Sequence, residues 1–213
     1  MAAVFSSRTI TAIAESTPLA GRTCIIIDAG HGGEDGGAIS CTGVYESTIN
    51  LQIALRLDDL LHFLGYHTKM TRTEDVSLHT QGNTIAAHKA SDLNNRTVFV
   101  NTMDTALLVS IHQNSFSERQ YSGAQVFYAD HPTAKVLAEA MQTKLVRELS
   151  PNSKRTAKQA KGIYLMEHIV HPGILVECGF LSNPEEEAKL RSEEYQKLLC
   201  CIVSSVLAQN LSS

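Results

Sequence analysis

The chain has 213 residues, 18 basic and 22 acidic side chains, a formal charge of −4 and 43% hydrophobic residues. That length suits one domain, the composition excludes a disordered or fibrous chain, and the mild acidity gives no electrostatic reason to expect nucleic acid as a partner. Cys24, Cys41, Cys178, Cys200 and Cys201 are odd in number and form no CxxC pair, which argues against a disulfide framework or thiolate metal site, and no apolar run approaches the roughly 20 residues of a transmembrane segment.

Residues 1–21 show no clear period and lack the basic start and apolar middle of a secretory signal. They are expected to form a tail that follows a removed leader. Cys24-Ile-Ile-Ile-Asp28 reads as a buried strand running into the glycine loop Ala29-Gly-His-Gly-Gly33. From Ser47, the residues Ile49, Ile53, Leu57, Leu60, Leu61 and Leu64 recur at spacings of 4, 4, 3, 1 and 3, a helical stripe stopped by Gly65. His67 to Arg72 predicts a second strand, and Thr73 to Ala90 reads as a long polar loop with room for a short helix. Asp92 to Asn101 has helical potential, and Thr105 to His112 is a strand ending in polar Gln113-Asn114-Ser115. Gly123 to Ala129 is a further strand, Pro132 to Leu149 a helix, and Gly162 to Met166 a short strand. Ile174 to Cys178 is the last apolar strand. Pro184 then opens a helix, and a terminal helix carries Tyr195, Leu199, Ile202 and Val206. Strands alternate with helices, so the expected fold is a single α/β domain with a mostly parallel central sheet and helices on both faces.

Open α/β sheets place ligands beyond the carboxyl ends of their strands. The first strand delivers His31, with Glu46 immediately before the main helix; the strand through Ile111 delivers His112; the last strand delivers Glu177. Two histidines and a carboxylate form a common catalytic zinc set, which leaves a fourth position for water and brings its pKa down to about 7. A further carboxylate accepts the proton of that water, and Glu177 suits the task because Leu175, Val176 and Phe180 flank it and desolvation raises its pKa. Taken singly, Glu46 also fits a helix N-terminal carboxylate favoured by the dipole. A buried Glu177 without a partner is the hardest to explain otherwise. His62, His67, His79, His88, His131, His168 and His171 read as surface or satisfied core groups, with His168 and His171 a weak alternative metal pair.

Ile27-Asp-Ala-Gly-His-Gly-Gly33 with Gly36-Gly37, Glu46 before a helix, Met70-Thr-Arg72, Ser110-Ile-His-Gln-Asn114 and Leu175-Val-Glu-Cys-Gly-Phe-Leu-Ser-Asn183 together resemble the zinc-dependent N-acetylmuramoyl-L-alanine amidases (amidase_3 family) of bacterial cell-wall metabolism. The resemblance covers about Thr23 to Leu211 and rests on several separate motifs in order. It implies a catalytic amidase domain over residues 22–213, with Zn2+ held by His31, Glu46 and His112 and with Glu177 as the catalytic glutamate. The implied reaction hydrolyses the amide joining N-acetylmuramic acid to L-alanine in peptidoglycan, so the expected partners are the glycan strand and its stem peptide. Gly123-Ala-Gln-Val-Phe-Tyr128 and Lys161-Gly-Ile-Tyr-Leu165 look most like the sporulation and germination branch, which helps make muramic-δ-lactam in spore cortex. That resemblance also implies an extracytoplasmic location, in the cell wall or forespore intermembrane space. A protein activator is a further expectation, although no residue signals one.

Lys154, Arg155, Lys158 and Lys161 form a basic stretch that suits either the carboxylates of stem peptides or muramate, or a solvated loop. Arg72 and Arg96 are read as structural ion-pairing groups, and Cys41 and Cys178 as loop and packing residues. Two other functional classes compete. A catalytically inactive peptidoglycan-binding or regulatory protein of the same fold is disfavoured because all four chemical positions are intact. A dinucleotide-binding loop is disfavoured because the helix begins only near Ser47 instead of opening at the glycines.

Overall fold

The computed structural model describes residues 23–211, so the expected tail over residues 1–21 lies outside the described residues. In chain order the elements are β1 (Cys24–Ala29), α1 (Glu46–Phe63), β2 (Thr68–Met70), α2 (Ile85–Asn101), β3 (Ala106–Asn114), β4 (Gln125–Tyr128), α3 (Pro132–Leu149), β5 (Lys158–Gln159), α4 (Tyr164–His168), β6 (Gly173–Phe180), α5 (Pro184–Leu190) and α6 (Glu193–Leu211). The strands form one sheet in the order β2-β1-β3-β6-β4-β5. Every neighbouring pair is parallel except β4 against β6. The expected mostly parallel α/β sheet is therefore the observed one.

The central strands are apolar on both faces because helices cover both. Ile25, Ile27, Leu107, Val109, Ile111, Ile174 and Val176 pack into one cluster with residues of α1, α3 and α6. The alternate residues Cys24, Ile26, Ala106, Leu108 and Leu175 pack on the other side with Val100 of α2 and with Leu165 and Met166 of α4. This two-residue alternation is the pleat itself. Each fully buried Ile or Leu contributes about 1.5–3 kcal/mol. The α1 stripe expected from its spacing is seated as Ile49, Ile53, Leu57 and Leu61, all buried.

Several elements differ from expectation, each for a local reason. Gly162 to Met166 is not a strand: Ile163 stays extended as the N-cap, and Tyr164–His168 forms one helical turn, in which Tyr164 and His168 stack at 4.0 Å. So short a run cannot display its period. Helix α2 starts at Ile85 inside the expected loop, with the Thr84 side chain accepting from the Ala87 amide at 3.2 Å. Its buried face is Asp92, Arg96, Thr97 and Val100, polar where an apolar stripe would normally mark a helix. The second strand shrinks to Thr68–Met70. The expected start at Pro184 is real, with the Asn183 side chain accepting from the Glu185 and Glu186 amides. All five cysteines are free. No helix among the described residues is long and apolar enough to cross a membrane.

Candidate active site

The carboxyl ends of β1, β3 and β6 meet beside the N-terminus of α1. His31 leaves β1 through Gly30 and is the only non-glycine with positive φ (60°) among the described residues. That conformation costs roughly 1–2 kcal/mol and is fixed by two arginines. Arg96 donates to the carbonyls of Ala29 (2.9 Å) and His31 (2.8 Å). Arg72 donates to those of Ala29 (2.9 Å), Gly30 (3.0 Å) and, in α1, Ser47 (2.9 Å). Arg96 is only 2% exposed and pairs with Asp28 and Asp92, each at 2.6 Å. Burial works against the Asp28 charge, but Arg96 and the Ser110 hydroxyl at 2.6 Å hold its pKa down to about 2. The ion pairing expected of both arginines is seen for Arg96, whereas Arg72 donates to backbone carbonyls; both serve the backbone under His31.

Glu46 occupies the first turn of α1, 3% exposed, and faces both imidazoles. Its Oε2 lies 3.3 Å from His31 Nε2 and its Oε1 3.0 Å from His112 Nδ1. Backbone amides of Ala38 (3.0 Å) and Gln113 (3.0 Å) and the Asn50 side chain (3.1 Å) also donate to it. Burial opposes ionisation, yet the hydrogen bonds from His112 and His31 hold the carboxyl far below the usual range. Asp35 accepts from His31 Nδ1 at 2.9 Å. Burial opposes a charge on His31 too, but Asp35 and then Glu46 push its pKa up to about 9. Two glycines make this closeness feasible. A Cβ at Gly30 would collide with the His112 ring, and one at Gly37, where φ is +68°, would sit 2.6 Å from Glu46 Oε2 and 2.7 Å from His31.

Glu177 is paired with His112 across the β3–β6 register. Its Oε2 is buried with no hydrogen-bond partner. Burial raises its pKa to about 7, the positive field of His112 working against that and the negative field of Glu46 adding to it. His31, Glu46 and His112 each offer one ligand atom, all within 4.8 Å of one another. Two imidazoles and a carboxylate are the donor set that zinc takes, and the unpartnered Glu177 oxygen is a group left over for chemistry beside it. The residues therefore fit that metal.

The three strand-end residues and Glu46 singled out from the sequence are brought together, and His168 and His171 are not: His168 bonds the Tyr164 carbonyl at 2.8 Å and His171 the Met103 carbonyl at 2.9 Å. Cys178 is buried and Cys41 exposed, neither in the ligand group. Sequence reasoning missed Asp35, Asn50 and Gln113. Asn50 carried a usable signal, four residues after Glu46 on one helix face; Asp35 and Gln113 gain their roles only from the folded loop.

The model of the family Amidase_3: N-acetylmuramoyl-L-alanine amidase matches residues 25–208. The germination-specific N-acetylmuramoyl-L-alanine amidase of Bacillus subtilis is 38% identical over 195 residues, 90% of this chain and 81% of that protein. The CwlD amidase of Clostridioides difficile, solved in complex with the GerS lipoprotein, superposes with a TM-score of 0.85 at 35% identity, covering 90% of this chain and 99% of that one. An N-acetylmuramoyl-L-alanine amidase from Clostridium difficile 630 superposes with a TM-score of 0.78 at 29% identity, covering 90% of this chain and 98% of that one. Family, relatives and fold converge, and the chain belongs to the Amidase_3 family and is an N-acetylmuramoyl-L-alanine amidase.

Proposed function

We propose that the protein is a zinc-dependent amidase that removes stem peptides from N-acetylmuramic acid, with His31, Glu46 and His112 holding the metal and Glu177 moving the proton. The observation that carries this reading is the convergence of three ligand atoms within 4.8 Å beside a buried carboxylate oxygen that has no partner. When bound, the ion supplies a Lewis acid and a lowered pKa for the attacking water.

The protein's own part is positioning and proton transfer. Arg72 and Arg96 fix the loop backbone, Asp35 orients the His31 ring, and three donors other than the histidines hold the Glu46 carboxylate. Such second-layer hydrogen bonds set ring orientation and ligand basicity. Glu177, whose burial favours the protonated form, takes the proton of the water at Oε2. As the water oxygen bonds to the muramoyl carbonyl carbon, Glu177 returns that proton to the L-alanine nitrogen, whose bond to that carbon breaks to leave a muramate carboxyl and a free amine.

The 38% identity to a germination-specific amidase supports a spore-cortex substrate, with the exposed muramate carboxyl feeding muramic-δ-lactam formation. The relative solved with a lipoprotein supports a protein partner for this chain as well. A substrate in the wall or cortex places the enzyme outside the cytoplasmic membrane. The test is metal analysis combined with muropeptide digestion of the parent and of His31→Ala. About one zinc per chain and release of stem peptide are expected from the parent, and loss of both from the variant. Full metal retention by the variant would remove His31 from the ligand set.

A further inference from the structure

The basic stretch after α3 contains one side chain held differently from its neighbours. Arg155 has its guanidinium carbon 5.1 Å above the centre of the Phe180 ring and donates to the Ser122 carbonyl at 3.3 Å. Lys154, Lys158 and Lys161 around it are exposed. The nearby carboxylate of Glu186 is already taken by the amides of Gly123 (2.8 Å) and Phe180 (2.9 Å). Arg155 therefore presents a positioned cation with donor capacity to spare, unlike Arg72 and Arg96, which are occupied by carbonyls and carboxylates.

The sheet places the ring under this cation on the catalytic side. His112 pairs with Glu177, and Asn114 pairs with Phe180, so β6 takes one residue more than β3 over the same span. That bulge returns Phe180 to the face of the sheet that carries Glu177, which is a common use of bulges beside active sites. On the other flank Gln125 lies opposite Glu177, and a Cβ on Gly123 would be 3.9 Å from Arg155 Nε. Phe180, on which Arg155 rests, lies three residues along β6 from Glu177 and two register steps away, on the order of 7–10 Å of strand. Phe116 (48% exposed) and Tyr121 (40% exposed) stand beside Phe180 as an edge-to-face pair with ring centres 5.2 Å apart.

We propose that Arg155, seated on Phe180 and flanked by Phe116 and Tyr121, is the subsite that recognises a carboxylate of the stem peptide two to three residues beyond the scissile amide. The inference rests on the amidase reading above and adds the part of the substrate that sets specificity. An extended peptide advances about 3.3–3.6 Å per residue, so one laid along β6 from Glu177 to Phe180 spans that many residues. The guanidinium is the fitting group because it pairs carboxylates through two N–H groups at once and rests on aromatic faces, which an ammonium does poorly.

The experiment compares muropeptides whose stem-peptide carboxylate is free with the same muropeptides carrying it as a primary amide, using the parent, Arg155→Gln and Arg155→Lys. For the parent, KM should be about tenfold lower on the acid form than on the amide form, with kcat within about twofold, the scale of one charge-assisted pair. Arg155→Gln should abolish that preference by raising KM on the acid form alone, at unchanged melting temperature, and Arg155→Lys should recover only part of it. Equal losses on both forms, or no loss on either, would overturn the subsite. Binding of the free stem peptide is titrated in parallel because it needs no turnover. Tighter binding of the acid than the amide by a parent that cleaves neither would keep the subsite and sink the amidase reading, whereas equal binding of the two would sink the subsite whatever the turnover.

Discussion

Glu46 and Glu177 sit against the same two histidines, and their surroundings drive them in opposite directions. Glu46, at the start of α1, collects two backbone amides, an asparagine and both imidazoles, and stays ionised far below the usual carboxylate range. Glu177, at the end of an apolar strand, keeps one oxygen buried and unpartnered, and its pKa rises to about 7. One side of the site is built to hold charge and the other to hold a proton. Carboxylates separated in this way are the pattern behind the proposed division, in which Glu46 binds metal and Glu177 transfers protons, and the separation follows from where each strand or helix ends.

The charge-holding side can be broken from below. Arg96→Leu should cost about 3–5 kcal/mol of stability, read as a lowered melting temperature, because Asp28 and Asp92 would be left without their buried cation. Removing the charge itself with Glu46→Gln should weaken zinc by about 100-fold or more in competition with a chromophoric chelator, since losing even an outer-layer partner costs about 10–100-fold. Asp35→Asn is the milder version: His31 keeps its position but loses a charged acceptor at 2.9 Å, and zinc affinity should fall about tenfold. Unaltered affinity in both ligand-side variants would mean that Glu46 and Asp35 do not shape the metal site.

The proton-holding side is sharpened by pH. Glu177 must be deprotonated to accept a proton, so kcat/KM should fall as pH drops through the Glu177 titration, which burial raises and a bound dication lowers. The same shift has a sign for stability. Because the folded pKa of about 7 lies above the ordinary 4.5, protonated Glu177 stabilises the metal-free fold; the contribution is complete below about pH 4.5 and is lost as pH rises through about 7. Glu177→Gln should therefore stabilise the metal-free protein above pH 7, by up to roughly 3 kcal/mol, in denaturant titrations at pH 5 and pH 8. A Gln variant no more stable than the parent at pH 8 would show that the buried carboxylate carries no such penalty.

Much of this division could be read before any coordinates. His31, His112 and Glu177 are polar residues at the ends of runs too apolar to be anything but central strands, and Glu46 heads the helix with the clearest stripe. What stayed hidden was of two kinds. Elements with little apolar patterning escaped in whole or part: only Asp92 to Asn101 of α2 was legible because the helix buries Asp92 and Arg96 for the sake of the loop above them, while α4 is a single turn and β5 only two residues long. The groups that tune the site, Asp35 on His31 and Gln113 on Glu46, also escaped, since their contacts are made by a loop fold and a backbone amide. A strand's end can be located from hydrophobicity alone; the hydrogen bonds that wait beyond it depend on how glycine loops turn.

The account stands most directly on Glu177→Gln measured for metal content and turnover in the same preparation. Retention of about one zinc per chain with muropeptide cleavage reduced by about 100- to 10,000-fold is the predicted result. Undiminished cleavage, or loss of the zinc along with activity, would contradict the separation of a charge-holding Glu46 from a proton-holding Glu177.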